Sequence, residues 1–501
     1  MAVWGSPLLQ VEIAGAPLGD GDRGALSSIR VQQRLSLPAL CELTFVDPTG
    51  TVGVERAPGD SLVVRIRNDV LFKGEVTAIE YSYRPFGARE IRIRGYDPSH
   101  RLRKRQPVKA HVDISLRDLA TDLVTDLGLS VDGAADGPLV RNVVQDDQTD
   151  LDLLSEVADR CGCHWTVRGD VMYLLTLEGT GEPLSLTLGE SLLEASIDVN
   201  GDPSCRVVVT EAWDPLQVAS HSGQASAART GREVQVEVAP SAFGSDGTRH
   251  LAGRVVESVE QAEALAQAEL DRRLAREVVL TGVAEGDPRL TPGQRVGLSG
   301  VAARVAGTYV LTEVTHTVDA ERGYLSAISS EPPQAKLRRG GARAALGVVT
   351  RVNDPDNLGR VRVTLPAYAG LETDWLHVTA PAAGADKGLA MLPDVDDHVL
   401  VLLADEDRSR GVVLGGLYGR GGIPDSGVSD GAVRRFTLRT AAGHVIQLDD
   451  ESRSMKLTDA TGNCLELTPG HLKLHAAVDL VIEAPGRSLL LRAQKIDFER
   501  Q

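Results

Sequence analysis

From Arg434 to the C-terminus, apolar residues recur as pairs two positions apart: Phe436/Leu438, Ile446/Leu448, Met455/Leu457, Leu465/Leu467, Leu472/Leu474, Leu480/Ile482, Leu489/Leu491 and Ile496/Phe498. Successive pairs start seven to ten residues apart, with Gly, Asp, Ser or Pro in most of the gaps. Side chains two apart share one face of a strand, so each pair reads as one face of a short strand. Two inward side chains per strand cannot make a self-sufficient core here, with Arg439, Lys456, Glu466 and Lys473 on the opposite face. The face needs a cover. Three identical chains wound about one axis would supply it, each giving a third of an apolar centre and covering the strand edges of the others. The pattern demands a partner surface but not a number of chains, and a single-chain β-solenoid or meander is the other reading.

The 501 residues exceed what one core can serve, so three or four domains are expected. Residues 1–110 alternate in strand fashion through Ile29–Gln32, Leu43–Val46, Leu62–Arg67 and Ile91–Arg94, with Gly, Pro and Asp between, as in a small β-barrel. A helical insertion spans 111–165. Ser115 and Asp118 form a capping box ahead of Leu116, Leu119, Leu123 and Leu127, and Thr149 caps a second helix carrying Leu153, Leu154, Val157 and Ala158. Residues 166–335 return to strands around one more helix, from about Ser258 to Ala275, rich in good helix formers. Pro292-Gly-Gln-Arg-Val-Gly-Leu followed by the strand from Gly307 echoes Pro58-Gly-Asp-Ser-Leu-Val-Val followed by the strand from Phe72; any two hairpins can share this pattern, and if the repeat is real the chain holds a second, similar barrel. Glu331 to Ala345 reads as a linker. Five short strands in 346–420 match the size of an OB-type barrel, and 432–501 carries the paired rhythm. The fold class is mainly β: a two-barrel hub with helical insertions, an OB-type barrel and an intertwined trimeric β-prism needle.

The chemistry-bearing residue types do not converge. The five cysteines are odd in number and scattered, which implies no disulfide framework. Cys161-Gly-Cys163-His164 has one residue between its cysteines, not two, and no second ligand cluster, so no metal site is assigned. Asp146-Asp147, Asp396-Asp397, Asp405-Glu-Asp407 and Asp449-Asp-Glu451 sit at turn-like positions and read as solvated carboxylates, not an acid/base pair. His316, His377 and His471 lie singly in strands and read as surface or edge residues. No nucleophile elbow, zinc-protease motif or phosphate loop is present. No catalytic residue and no cofactor is expected.

The net charge of −17 disfavours nucleic acid, and the OB block offers few aromatic platforms beyond Tyr368, Trp375 and Tyr418. No stretch has the apolar length of a membrane span, and the N-terminus lacks the form of a signal peptide, so neither stable membrane insertion nor leader-driven export is expected.

The block Gly347-Val-Val-Thr-Arg-Val-Asn-Asp-Pro-Asp-Asn-Leu-Gly-Arg-Val-Arg-Val-Thr-Leu-Pro366, with Asp374-Trp375-Leu, Pro393-Asp-Val-Asp-Asp-His-Val and Gly415-Gly-Leu-Tyr-Gly419, resembles the OB domain of valine-glycine repeat (VgrG) spike proteins. Ile91-Arg-Ile-Arg-Gly-Tyr-Asp-Pro-Ser-His-Arg-Leu102 is similar to a segment of phage late-control D proteins. The resemblance runs the length of the chain in the order hub, OB domain, needle. It implies a homotrimeric, non-enzymatic hub-spike of a contractile injection system, within a phage-tail-like particle built in the bacterial cytoplasm and in some systems released. It also implies a hexameric inner tube protein above the hub, baseplate proteins around it, a PAAR-type tip protein at the needle end and a cargo effector as a further partner. Ile496 and Phe498 would lie nearest the tip, and the other fourteen paired residues would form the trimeric core. Two barrels per chain would let three chains present six similar units to the tube. Some relatives carry a lysozyme after the OB domain. Only Arg420 to Gly431 stand there in this chain, and it stops at Gln501 with no toxin extension, so catalysis is not expected. The alternatives are a trimeric tail-fibre-like adhesin and a spike with cryptic peptidoglycan hydrolase activity.

Overall fold

The computed structural model describes residues 9–497 and 499, apart from 47–55, 86–88, 134–135, 147, 215–218, 336–341, 405–406 and 420–421. The chain folds as two compact units, Met1–Leu417 and Tyr418–Gln501.

The first unit is organised by one eleven-stranded sheet. Its first lobe contains β1 (Leu9–Ile13), β2 (Leu26–Arg34), β3 (Leu37–Val46), β4 (Ser61–Ile66), β5 (Asp69–Tyr83) and β6 (Arg89–Tyr96). The alternation seen in the sequence puts Ile29, Val31, Leu43, Phe45, Leu62, Val64, Ile91 and Ile93 into one apolar core.

Two helices follow, α1 (Leu116–Val124) and α2 (Asp150–Arg160). Both start on the capping boxes legible in the sequence, Ser115 with Asp118 and Thr149 with Asp152. Gly128, at φ 73°, ends the first. Their apolar faces close over Trp165, Met172 and Leu174 from adjoining strands.

The second lobe holds β7 (Leu192–Val199), α3 (Val259–Glu277), β8 (Val278–Glu285), β9 (Gln294–Ser299), β10 (Gly307–Val310), β11 (Glu313–Asp319) and β12 (Gly323–Ser329). Helix α3 starts on the Ser258 cap and buries Ala262 and Ala266 against a three-stranded sheet. There Gly223 lies so close to the Ala262–Glu263 backbone that a Cβ would collide with it.

The echo in the sequence corresponds to a repeated topology. In the first lobe the antiparallel order is β2-β3-β6-β5-β4, and in the second it is β7-β8-β12-β11, with β10 continuing to β9. The second lobe breaks at Leu311-Thr312 what β5 keeps as one strand with a bulge at Val76/Ala78. The lobes are joined by β2, which pairs antiparallel with β11 from Ser28/Asp319 to Arg34/Glu313. They thus share one continuous sheet.

The OB block is built on β13 (Arg343–Arg351), β14 (Arg362–Leu365), β15 (His398–Ala404) and β16 (Asp407–Gly416). His377–Val378 adds in parallel to β16, and the Val361–Leu376 bridge, with N–H···O distances of 2.9 and 2.8 Å, closes the barrel. Val349, Val361, Val363, Leu365, Leu376, Val399, Val401 and Val413 fill it. Strand β13 begins inside the segment expected to be linker and buries Ala345, and 336–341 lie outside the described residues.

Candidate functional site

The second unit begins with a tight hairpin, Val428–Ser429 against Ala432–Val433, turned by Asp430 at φ 52° and Gly431 at φ 76°. Asp-Gly with two positive φ values suits a two-residue hairpin turn. A five-stranded antiparallel meander follows: β17 (Arg435–Arg439), β18 (Val445–Asp449), β19 (Ser454–Thr458), β20 (Cys464–Leu467) and β21 (Leu472–His475).

Its register aligns the apolar pairs. Phe436, Leu448, Met455, Leu467 and Leu472 stand opposite one another in one row across the sheet, and Leu438, Ile446, Leu457, Leu465 and Leu474 in the next. Ten of the sixteen paired residues therefore share one face. Among the described residues this face stays open: eight of the ten are 38 to 69% exposed, and Leu465 and Leu467 are half-buried.

The reverse face is polar. Thr437, Gln447, Lys456, Glu466 and Lys473 form a cross-strand row in which Glu466 lies between two lysines. Asp425 clamps the start of the sheet. It accepts hydrogen bonds from Arg435 at 2.6 and 2.8 Å, from Thr437 Oγ1 at 2.6 Å and from the Gly427 N–H at 3.0 Å. The Arg435 guanidinium holds the Asp425 carboxyl well below the usual carboxylate range. Gly427, at φ 64°, lies against the Arg435 carbonyl where a Cβ would not fit. Asp459 binds Asn463 and Thr461 in the next turn and is lowered to about 2, chiefly by the Asn463 side-chain hydrogen bond.

Leu480, Ile482, Leu489, Leu491 and Ile496 do not lie in strands, contrary to the reading of their spacing. They are 48 to 62% exposed in irregular backbone, because in one chain the sheet ends at His475 and offers them no further strand to pair with. Phe498 lies outside the described residues.

The scattered polar candidates do not assemble. Cys161 and Cys163 are buried in the helical core, their thiols pushed up to about 12 and about 11 by desolvation. His164 is buried and lowered to about 4 by the same cause. Among the described residues no group of three or more His, Cys, Asp or Glu could hold a metal ion.

His316 is not a surface residue. It is 1% exposed: its Nε2 donates to the Leu290 carbonyl at 3.0 Å, and its Nδ1 accepts from Ser326 Oγ and Tyr324 Oη, both at 3.0 Å. The alternation of β11 turns it into the second lobe's core. Asp146 is likewise buried, not solvated, whereas Asp396 is exposed at φ 69° in a turn. His377 is half-buried at the barrel seam, and His471 is exposed ahead of β21, outside any strand. Asp147, Asp405 and Glu406 lie outside the described residues. No helix among the described residues is long and apolar enough to cross a membrane.

Two family models match the chain. That of the type VI secretion system/phage-baseplate injector OB domain covers 345–418, and that of the Alg8 N-terminal domain covers 57–320, just over half of the chain. No curated protein matches the sequence. Among solved structures, the chain is similar to the E. coli c3393 protein, a type VI secretion component likened to the T4 tail proteins gp27 and gp5. The TM-score is 0.56 at 13% identity, over 81% of this chain and 99% of that one. It is similar to a chain of the lidded Francisella PdpA–VgrG complex, with a TM-score of 0.57 at 10% identity, over 93% of this chain and 80% of that one. The 43 kDa tail protein of prophage MuSo2 from Shewanella oneidensis matches with a TM-score of 0.51 at 14% identity, over 64% and 97% of the two chains.

Proposed function

We propose a function from one premise: the chain belongs to the family of the Alg8 N-terminal domain, and its hub, OB domain and terminal sheet follow one another as in a VgrG-like spike. On that premise it is the structural hub and spike of a phage-tail-like contractile injection particle, and it works as a homotrimer.

The observation that carries this reading is the uncovered face of β17–β21. An apolar surface of two rows of five large side chains marks an interface in a protein that stays in solution. Burying a Leu-sized side chain is worth ~1.5–3 kcal/mol. With about half of each still exposed, sealing the face would contribute on the order of 10 kcal/mol per chain. Three such sheets, face inward about one axis, make a three-sided β-prism with the charged rows outside. The same packing gives Leu480, Ile482, Leu489, Leu491, Ile496 and Phe498 neighbours from other chains, so the prism can continue past His475 as an intertwined needle toward a tip protein of the PAAR class.

Two lobes of like topology per chain support the second part of the reading. Three chains then present six similar units, a pseudo-sixfold ring that fits a hexameric inner tube. The spike contributes stiffness and a point, and no step in that task needs a catalytic group. Assembly takes place in the bacterial cytoplasm, beside baseplate proteins, with a cargo effector as a further partner.

The test is the mass of the full chain in solution by light scattering. The expected value is three times the 53.3 kDa chain. A monomer at micromolar concentration would overturn the proposal.

A further inference from the structure

The two hub lobes repeat one topology. Within one chain the lobes meet through β2 and β11, with Val314 opposite Gln33, His316 opposite Val31 and Val318 opposite Ile29. The repeat supplies the counterparts of these residues. In the first lobe Ile79 of β5 faces Ile93 of β6, as in the second Val314 of β11 faces Ile328 of β12. So Ile79, Tyr81 and Tyr83 correspond to Val314, His316 and Val318. Likewise Val31 faces Cys41, which faces Gly95, while Ile197 of β7 faces Leu280 of β8 at the matching place. So Ile29, Val31 and Gln33 correspond to Ala195, Ile197 and Val199.

Among the described residues each counterpart lacks the strand neighbour that its original has. Among the described residues strand β7 ends the sheet, and from Glu194 to Val199 it pairs with β8 alone. Strand β4 pairs with β5 only as far as Glu75, so from Ala78 to Tyr83 β5 is hydrogen-bonded on one side alone among the described residues. Both free edges expose apolar or aromatic side chains. Tyr81 is 46% and Tyr83 69% exposed, against 1% for His316 and 7% for Val318, and Val199 is 40% exposed. Ile79 already packs against the first lobe's core.

We propose that β7 of one copy adds antiparallel to β5 of a second copy, with Val199 opposite Ile79, Ile197 opposite Tyr81 and Ala195 opposite Tyr83. This rests on the trimeric reading and deepens it by naming the strands that close the ring. Each chain carries one edge of each kind, so the contact is head-to-tail and three copies close it. An unpaired, apolar strand edge is a template for another chain, and the in-chain β2–β11 pair fixes the register in which it is filled. On the other face Asp198 comes opposite Glu80, whose charge Arg94 already meets at 3.3 Å.

Full-length chains carrying Tyr81→Cys and, separately, Ile197→Cys are made in a Cys464→Ser background, co-expressed, purified and oxidised. A disulfide-linked pair is expected only when both are present, and a chain carrying both substitutions should give a covalent trimer. A chain that is trimeric by light scattering yet forms no such link would overturn the strand pairing and leave the trimeric reading standing. A monomer would overturn both. As a check independent of oxidation, Tyr81→Lys should raise the dissociation midpoint of the trimer to higher concentration by at least tenfold, and adding Ile197→Glu should recover most of it. Recovery absent in the double variant would count against the pairing.

Discussion

Among the described residues of the OB barrel, Asp354 carries the most heavily hydrogen-bonded side chain. It is 3% exposed and accepts from Arg360 at 2.6 and 2.9 Å and from the N–H groups of Asp356, Leu358 and Arg360. The Asp-Pro-Asp-Asn-Leu-Gly-Arg motif is thus a loop wound round one carboxylate. Asp354→Ala should lower the barrel's stability by about 3 kcal/mol, because the loop loses its central acceptor and the buried Arg360 keeps only the exposed Asp356 carboxylate as a partner. Denaturant unfolding checks it. The Arg360 hydrogen bonds hold this carboxyl well below its ordinary value of about 3.9, so its contribution is full above that pH and is lost as pH falls further.

His316 has the opposite chemistry and the same sign. Burial lowers it to about 4 from about 6.5, so between those values the unfolded chain binds a proton that the folded chain refuses. Stability should fall as pH drops from 6.5 to 4. His164, lowered alike, adds to the slope. His316→Asn should flatten it, measured by urea unfolding at several pH values. An unchanged slope would refute the buried, neutral assignment.

At the scale of elements, the capping boxes and the terminal sheet respond differently to substitution. Ser115→Ala removes the side chain that accepts the Asp118 N–H, and should cost about 1 kcal/mol with no effect on assembly. Leu438→Asp with Leu457→Asp places charges in one apolar row of the meander. These side chains touch nothing essential within their own chain, so the lobes and OB barrel should keep their circular dichroism and unfolding midpoint while the oligomer falls to monomer in light scattering. An intact oligomer would show that this face is not the contact. The helices and caps were legible in the sequence because their signals are local, within one or two turns. The burial of His316 and Asp146 was not, because alternation tells which side of a strand a residue takes but not which side is covered.

For the whole molecule, the two units make separable predictions. The first contains several apolar cores of its own, so a chain ending at Leu417 should fold cooperatively and bind its copies far more weakly than the full chain. Sedimentation across a concentration series reads the difference. If the truncated chain trimerises as tightly as the full one, the terminal sheet is not what holds the copies together. The sequence by itself determined the strand and helix types, the caps, the OB block and the pairing rhythm, since each is set by the period of side chains along a few residues. It also carried the echo between the two β sets. Only the tertiary structure decided that these sets share one sheet through β2 and β11 and that β7 and half of β5 are left without neighbours. It also decided that the ten paired residues of β17–β21 align as two rows on one open face. Those are facts of register between segments up to 291 residues apart, from Ser28 with Asp319 to Arg34 with Glu313. Hydrogen bonding between distant strands is not encoded in any local period, so it becomes visible only when the strands are laid side by side.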